Sequence, residues 1–222
     1  MKEKWSKEKA VDKWDRYYDE KNWFARMADL VIELYFSKVF ENDLKRITNA
    51  RKGKIIEIGC GGGVMSSRLA KQGYQVSVLD ISRNALDVTR KNFGKIGAEG
   101  KFIRADLFDM KLKKERYDIV WNQGVIEHFD DINGAIKSMD GLVKKQGYLV
   151  IFVPAYNSPL HFFYRILSFL RLKSLWPVDD QIFFRKNQLL GAMKSAGAFN
   201  PKVRRVKGSL FFSLVGYSRK QI

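Results

Sequence analysis

Within residues 55–63, IIEIGCGGG, an acid (Glu57) stands just ahead of Gly59, Gly61, Gly62 and Gly63, with Cys60 among them. Bare backbone of this kind lets the main chain approach a ligand closely, because no Cβ intervenes. Two further acids end apolar runs: Asp80 closes VSVLD, 21 residues after Gly59, and Asp106 closes FIRAD. The spacing of Asp80 suits a ribose diol, two hydroxyl donors on one carboxylate. Ile81 beside it suits a purine face, and Asp106 suits an exocyclic amine. A pyrophosphate would be repelled by a charge on Glu57, whereas a ligand carrying an ammonium group is favoured by it.

Each signal has a plainer reading. A G-x-G-x-x-G turn marks dinucleotide binders, although Val64 stands here at the third glycine position. Glu57 also reads as a cap on nearby amides, and an Asp after a strand as a helix N-cap or turn residue. Three acids at three successive strand ends, in phase with the glycine turn, together describe a nucleoside pocket without a phosphate. The only two histidines are His128 and His161. His128, next to Glu127, suits a general base toward a hydroxyl or phenol; the alternative is that the pair orients its own loop.

The elements that must position these residues follow from patterning. KIIEIG, YQVSVLD, KFIRAD, YDIVWN and GYLVIFVP are short β-rich runs bounded by Gly, Asp, Asn or Pro. Helical patterns lie between them over 64–72, 82–93 and 132–145, and earlier over 6–21 and 23–46. Alternating strand and helix implies an α/β fold with a parallel, doubly wound sheet, since parallel strands need long crossovers. FRKNQLLGAMKSAGAF reads as a helix stopped by Gly197, and NPKVRRVKG with SLFFSLVGYSRK as an antiparallel terminal pair. Neither repeats nor low-complexity linkers interrupt the chain. One domain is expected: a helical cap (1–48), a binding core (49–155), an insertion (156–180) and a terminal helix with strands (181–222).

The lone Cys60 excludes an internal disulfide framework and a cysteine-clustered zinc site, and no metal site is expected. No apolar run reaches membrane-spanning length and no secretory leader is evident, so a cytoplasmic chain is expected. The net charge is +17, and it is uneven: residues 1–131 carry 26 Lys and Arg against 21 Asp and Glu, residues 132–222 carry 15 against 3. An anionic partner fits this asymmetry, as does simple solubility.

With EIGCGGG, VLD, AD, YDIVWNQGVIEHFDD and GYLVIFVP in place, the chain resembles the class I S-adenosylmethionine-dependent methyltransferases, especially those of ubiquinone and menaquinone pathways. The likeness covers about residues 45–155, with WDRYYDE and LLGAMKSAGAF resembling flanking helices. It implies a Rossmann-like, mostly parallel seven-stranded sheet with one antiparallel strand near its end. It also implies S-adenosylmethionine as cofactor and S-adenosylhomocysteine as product. By motif, Glu57, Gly59, Cys60 and Gly61 would line the methionine part, and Asp80 would hold the ribose. Ile81, Asp106 and Leu107 would hold the adenine, and Asn122 and Gln123 would flank the sulfonium. Tyr17, with Trp14 and Tyr18, would belong to a lid helix or to ordinary packing.

The acceptor is narrowed mainly by absences. Methylation of a nucleobase amine normally uses an Asn/Asp-Pro-Pro-aromatic turn after strand four, where this chain has NQGV. Carbon-5 pyrimidine methylation needs a cysteine nucleophile, and Cys60 is in the glycine turn. The insertion SPLHFFYRILSFLRLKSLW, residues 158–176, aligns His161, Arg165, Ser168 and Arg171 on one stripe and leaves a broad apolar face. It reads as a lid over a hydrophobic acceptor, as a peripheral contact with an anionic membrane, or as an ordinary core helix. The expectation is methyl transfer to a small hydrophobic or aromatic molecule, to oxygen ahead of nitrogen or carbon. An RNA-modifying enzyme using the basic carboxyl-terminal half is the alternative; a dehydrogenase and a non-catalytic cofactor-binding subunit are further rivals.

Overall fold

Runs such as KIIEI, apolar on both faces, can only be satisfied deep in a sheet covered from both sides. The computed structural model, which describes residues 7–19, 35–171, 182–210 and 212–221, places them there. In chain order the elements are α1 (Lys7–Asp19), α2 (Ser37–Thr48), β1 (Lys54–Ile58), α3 (Val64–Lys71), β2 (Gln75–Asp80), α4 (Arg83–Lys95) and β3 (Lys101–Arg104). They continue with β4 (Tyr117–Gln123), a 3-10 turn (Ile126–His128), α5 (Ile132–Asp140), β5 (Val143–Pro154), α6 (Pro159–Phe169), α7 (Lys186–Ser195), β6 (Lys202–Arg205) and β7 (Ser213–Arg219).

One seven-stranded sheet runs in the order β3-β2-β1-β4-β5-β7-β6. β7 alone is antiparallel to both of its neighbours. The chain builds outward from β1 to β3, then returns to place β4 on the other side of β1. That reversal opens a crevice at the carboxyl ends of β1 and β4, the usual ligand position in such sheets. Ile56, Ile58, Val120 and Leu149 face one apolar layer, with α5 and α7. Ile55, Val78, Trp121 and Val150 face the other, with α2, α3 and α4.

Two expected boundaries move. The helix expected over 132–145 ends at Asp140, because the Gly141 amide caps Lys137 and the apolar pair Leu142–Val143 turns into the sheet. Of the helix expected over 23–46, residues 23–34, with Leu30, Ile32 and Leu34, lie outside the described residues; the described part is α2. α2 runs on to Thr48 and stops where Asn49 turns left-handed, its amide returning to Lys45 O. Paired charges fix α2: Arg204 of β6 grips Asp43 through two bonds of 3.0 and 2.9 Å, and Arg68 of α3 reaches Glu41.

In the insertion, Ser158 caps α6 by accepting from His161 N at 3.1 Å. The helix ends before Arg171, and residues 172–181 lie outside the described residues. Its expected polar stripe divides: Arg165 and Arg171 are exposed and Ser168 is half-buried. His161 is buried, its ring 4.3 Å from Tyr156 and 4.9 Å from Phe183, while the apolar side points outward.

Candidate active site

At the carboxyl end of β1 the chain must turn sharply without side chains. Gly59 (φ +68°) and Gly61 (φ +52°) both take left-handed backbone, and a Cβ on Gly61 would lie 2.8 Å from the Tyr18 hydroxyl. A Cβ on Gly59 would run into Val125. The turn is stitched to β2: Gly59 N donates to Leu79 O at 2.7 Å, and Gly61 N to Asp80 Oδ2 at 3.3 Å. Asp80 Oδ1 accepts from Ser82 N at 2.9 Å. One carboxylate thus bridges the glycine turn and the start of α4. Each oxygen keeps a further acceptor site for another donor, a geometry suited to a vicinal diol. Burial raises the Asp80 carboxyl above its ordinary value, and the two amides pull it back.

These groups floor a cavity of about 700 Å³, within the size range of small-molecule sites. Of the residues expected from sequence, Gly59, Gly61, Asp80, Ile81, Asp106, Leu107, Gln123 and His128 line it. Asp106 is oriented by accepting from Phe108 N at 2.9 Å. The His128 ring meets Trp14 of α1 edge-on at 5.1 Å.

Four expected residues stand elsewhere. Glu57 is 5% exposed and off the lining, behind the turn, and its Oε2 has no hydrogen-bond partner among the described residues. Burial, with the Asp80 charge adding to it, pushes its carboxyl well above the usual carboxylate range. A Glu57 charge at the wall was to repel a pyrophosphate; the acid actually at the wall beside the turn is Asp80. Cys60 is also buried, its Sγ 3.3 Å from Thr89 Oγ1, and burial drives its thiol well up. Asn122 is fully buried, paired in register with Ile58 and Ile151, so only Gln123 of that pair reaches the cavity. Tyr17 stands edge-on to Tyr18, and Tyr18 is the ring on the wall.

Helix α1 roofs the cavity with Lys9, Lys13, Trp14 and Tyr18. It is latched by Asp15, which accepts from Ser82 Oγ at 2.5 Å and Asn84 N at 3.3 Å; Asn84 Nδ2 reaches Asp19 at 2.8 Å. Lys9 and Lys13 were not anticipated, although their four-residue spacing puts the two on one side of the helix, one turn apart. Val125 and Ile182 also line the cavity without a signal in sequence. The described part of the insertion, residues 156–171, does not line it. It touches the site indirectly, through Phe183 next to Ile182.

The arrangement offers a diol acceptor, a backbone cradle, an apolar slot between Ile81 and Leu107, and an imidazole under an aromatic roof. The sheet order and this crevice resemble those of the class I S-adenosylmethionine-dependent methyltransferases. Residues 56–151 match the family described as methyltransferase domain. The ubiquinone biosynthesis O-methyltransferase of Vibrio vulnificus is 28% identical over 141 residues, 62% of this chain and 60% of that protein. The chain thus spans about three fifths of that curated relative's length. A Thermotoga maritima structure, described as a SAM-dependent methyltransferase and possible histamine N-methyltransferase, superposes with a TM-score of 0.70 at 20% identity, covering 95% of this chain and 99% of that one. Magnesium protoporphyrin IX methyltransferase from Synechocystis, solved with bound S-adenosylhomocysteine, does so at 0.67 and 16% identity, covering 95% and 94%. At these identities the structural likeness speaks for the fold.

Proposed function

We propose that this chain methylates a small hydrophobic or aromatic molecule, with a hydroxyl oxygen as the favoured acceptor atom. S-adenosylmethionine, when bound, supplies a methyl group on a sulfonium already activated toward nucleophiles. The observation that carries the reading is the Asp80 carboxylate, fixed by Gly61 N and Ser82 N with acceptor capacity left for a diol. Ile81 and Leu107 would sandwich the adenine and Asp106 would accept from its amine. Gly59 and Gly61 would pass the main chain close to the methionine part, with Gln123 near the sulfonium. Glu57, Cys60 and Asn122 support these positions from behind.

The walls of the acceptor side favour an apolar guest. Trp14, Tyr18, Val125, Phe129 and Ile182 make it apolar and aromatic. The relatives named for O-methylation favour oxygen. His128 would take the hydroxyl proton as the oxygen attacks, and Trp14 against its ring holds it in place. The RNA alternative draws on the basic carboxyl-terminal half, but part of that charge is engaged internally: Arg204 with Asp43, Lys220 with Glu115 and Asp140.

Calorimetry with S-adenosylhomocysteine tests the reading. The wild type should bind, and Asp80→Ala should lose about 1–3 kcal/mol, the worth of hydrogen bonds to a charged group. A wild type that binds a nicotinamide dinucleotide and not S-adenosylhomocysteine would overturn it.

A further inference from the structure

Helix α6 presents its apolar side to solvent. Phe162, Phe163, Ile166, Phe169 and Leu170 are 65%, 53%, 39%, 87% and 54% exposed. At 3.6 residues per turn they fall within about 120° of the helix circumference. His161 and Leu167, on the opposite side, are buried against the body of the protein. A helix on a folded domain ordinarily turns its apolar stripe inward, and a contiguous patch of this kind marks an interaction surface.

Cations border the stripe. Arg165 stands at its margin on the helix and Arg171 just past its end, both exposed. At the foot of the helix Arg185 lies over the Tyr156 ring at 4.0 Å, and Arg205 donates to the carbonyls of Tyr156 and Asn157, each at 3.4 Å. Among the described residues from 141 onward there is no Asp or Glu. An apolar stripe edged by cations matches a surface that is apolar within and anionic at its rim. We propose that α6 beds into the surface of an anionic lipid bilayer, its phenylalanines among the acyl chains and its flanking arginines at the headgroup phosphates. A second copy of the chain is the poorer occupant, because a twofold contact through α6 would bring the same arginines together. Phe183 packs on His161 and Tyr164 of α6 while the adjoining Ile182 lines the site cavity, so one short segment joins the docked face to the cavity.

Co-sedimentation of the full chain with vesicles tests this, using phosphatidylcholine alone or mixed with phosphatidylglycerol. We expect at least about tenfold stronger partition to the anionic vesicles, weakening as salt rises. The Phe162→Ser/Phe169→Ser double variant should lose about tenfold or more of that partition. Absent partition, equal partition to both vesicles, or a double variant that binds like the wild type overturns the proposal. So does a dimer in sedimentation velocity that the double variant dissolves without any vesicle binding. A second measurement serves if the double variant does not fold. Phe169→Cys carrying a polarity-sensitive dye, with Cys60 buried and out of reach of the label, should shift to the blue on anionic vesicles; unshifted emission overturns the proposal.

Discussion

The floor and the roof of the cavity lie against each other but are held by different forces. The floor is main chain: the glycine turn bonds to Leu79 O and to Asp80, whose carboxylate also takes Ser82 N, all at the buried ends of paired strands. The roof is one amphipathic helix, α1, held by side chains: Asp15 and Asp19 to Ser82 and Asn84, Trp14 against His128. Breaking the floor means breaking the sheet, whereas the roof hangs on a few hydrogen bonds worth about 1 kcal/mol each. The floor shares the sheet's rigidity, and the roof depends on side-chain contacts.

If that division is right, damage to wall and roof changes turnover and affinity, while damage to the floor also changes folding. The largest effect is expected at the wall. His128→Ala should lower kcat about 10²–10⁴-fold, the usual contribution of a general base. The melting temperature should hold, and S-adenosylhomocysteine affinity should fall by no more than in Asp15→Ala, since the lost ring contact with Trp14 loosens the same helix. A variant that melts early instead would make His128 a structural residue. Next comes the floor. Gly59→Val puts a branched side chain on a left-handed backbone and against Val125, and urea unfolding should show a loss of about 2–4 kcal/mol, with binding abolished. Asp15→Ala should weaken S-adenosylhomocysteine about five- to thirtyfold by unlatching α1 while leaving the urea midpoint nearly unmoved. A large shift in that midpoint would place α1 with the core and erase the contrast.

The smallest effect concerns Glu57 and its pH dependence. Its folded carboxyl stands well above the ordinary 4.5, so the folded state holds the proton more tightly than the unfolded state. The sign follows: Glu57 costs no stability below the ordinary value, and the cost grows as pH rises toward the folded value, then levels off. Glu57→Gln should therefore raise the melting temperature of the ligand-free protein more at pH 8 than at pH 5. An equal gain at both would mean that the glutamate is not held in its neutral form.

Strand ends were easy to read in the sequence, and helix faces were not. Asp80 and Asp106 end short apolar runs bounded by turn residues, a local pattern, so the acids and the glycine turn fall in phase before any packing is considered. Tyr17 and Tyr18 are neighbours on α1, and which of them meets the cavity depends on the helix's rotation. That rotation is set by Asp15 meeting Ser82 and Asn84, residues far along the chain. The insertion shows the same limit: its periodicity locates a helix, but the side facing inward is chosen by Tyr156 and Phe183 closing on His161.

The amino-acid order by itself determined the alternation of strands and helices, the glycine turn, and the acids at the ends of β2 and β3, because each depends on local conformation and short-range pattern. Only the tertiary structure decided that Glu57 lies behind the cavity in a setting that favours its protonated form, that Tyr18 rather than Tyr17 closes the roof, and that α6 turns its phenylalanines outward. Burial and helix rotation are fixed by contacts between segments remote in the chain, and no local pattern carries that information.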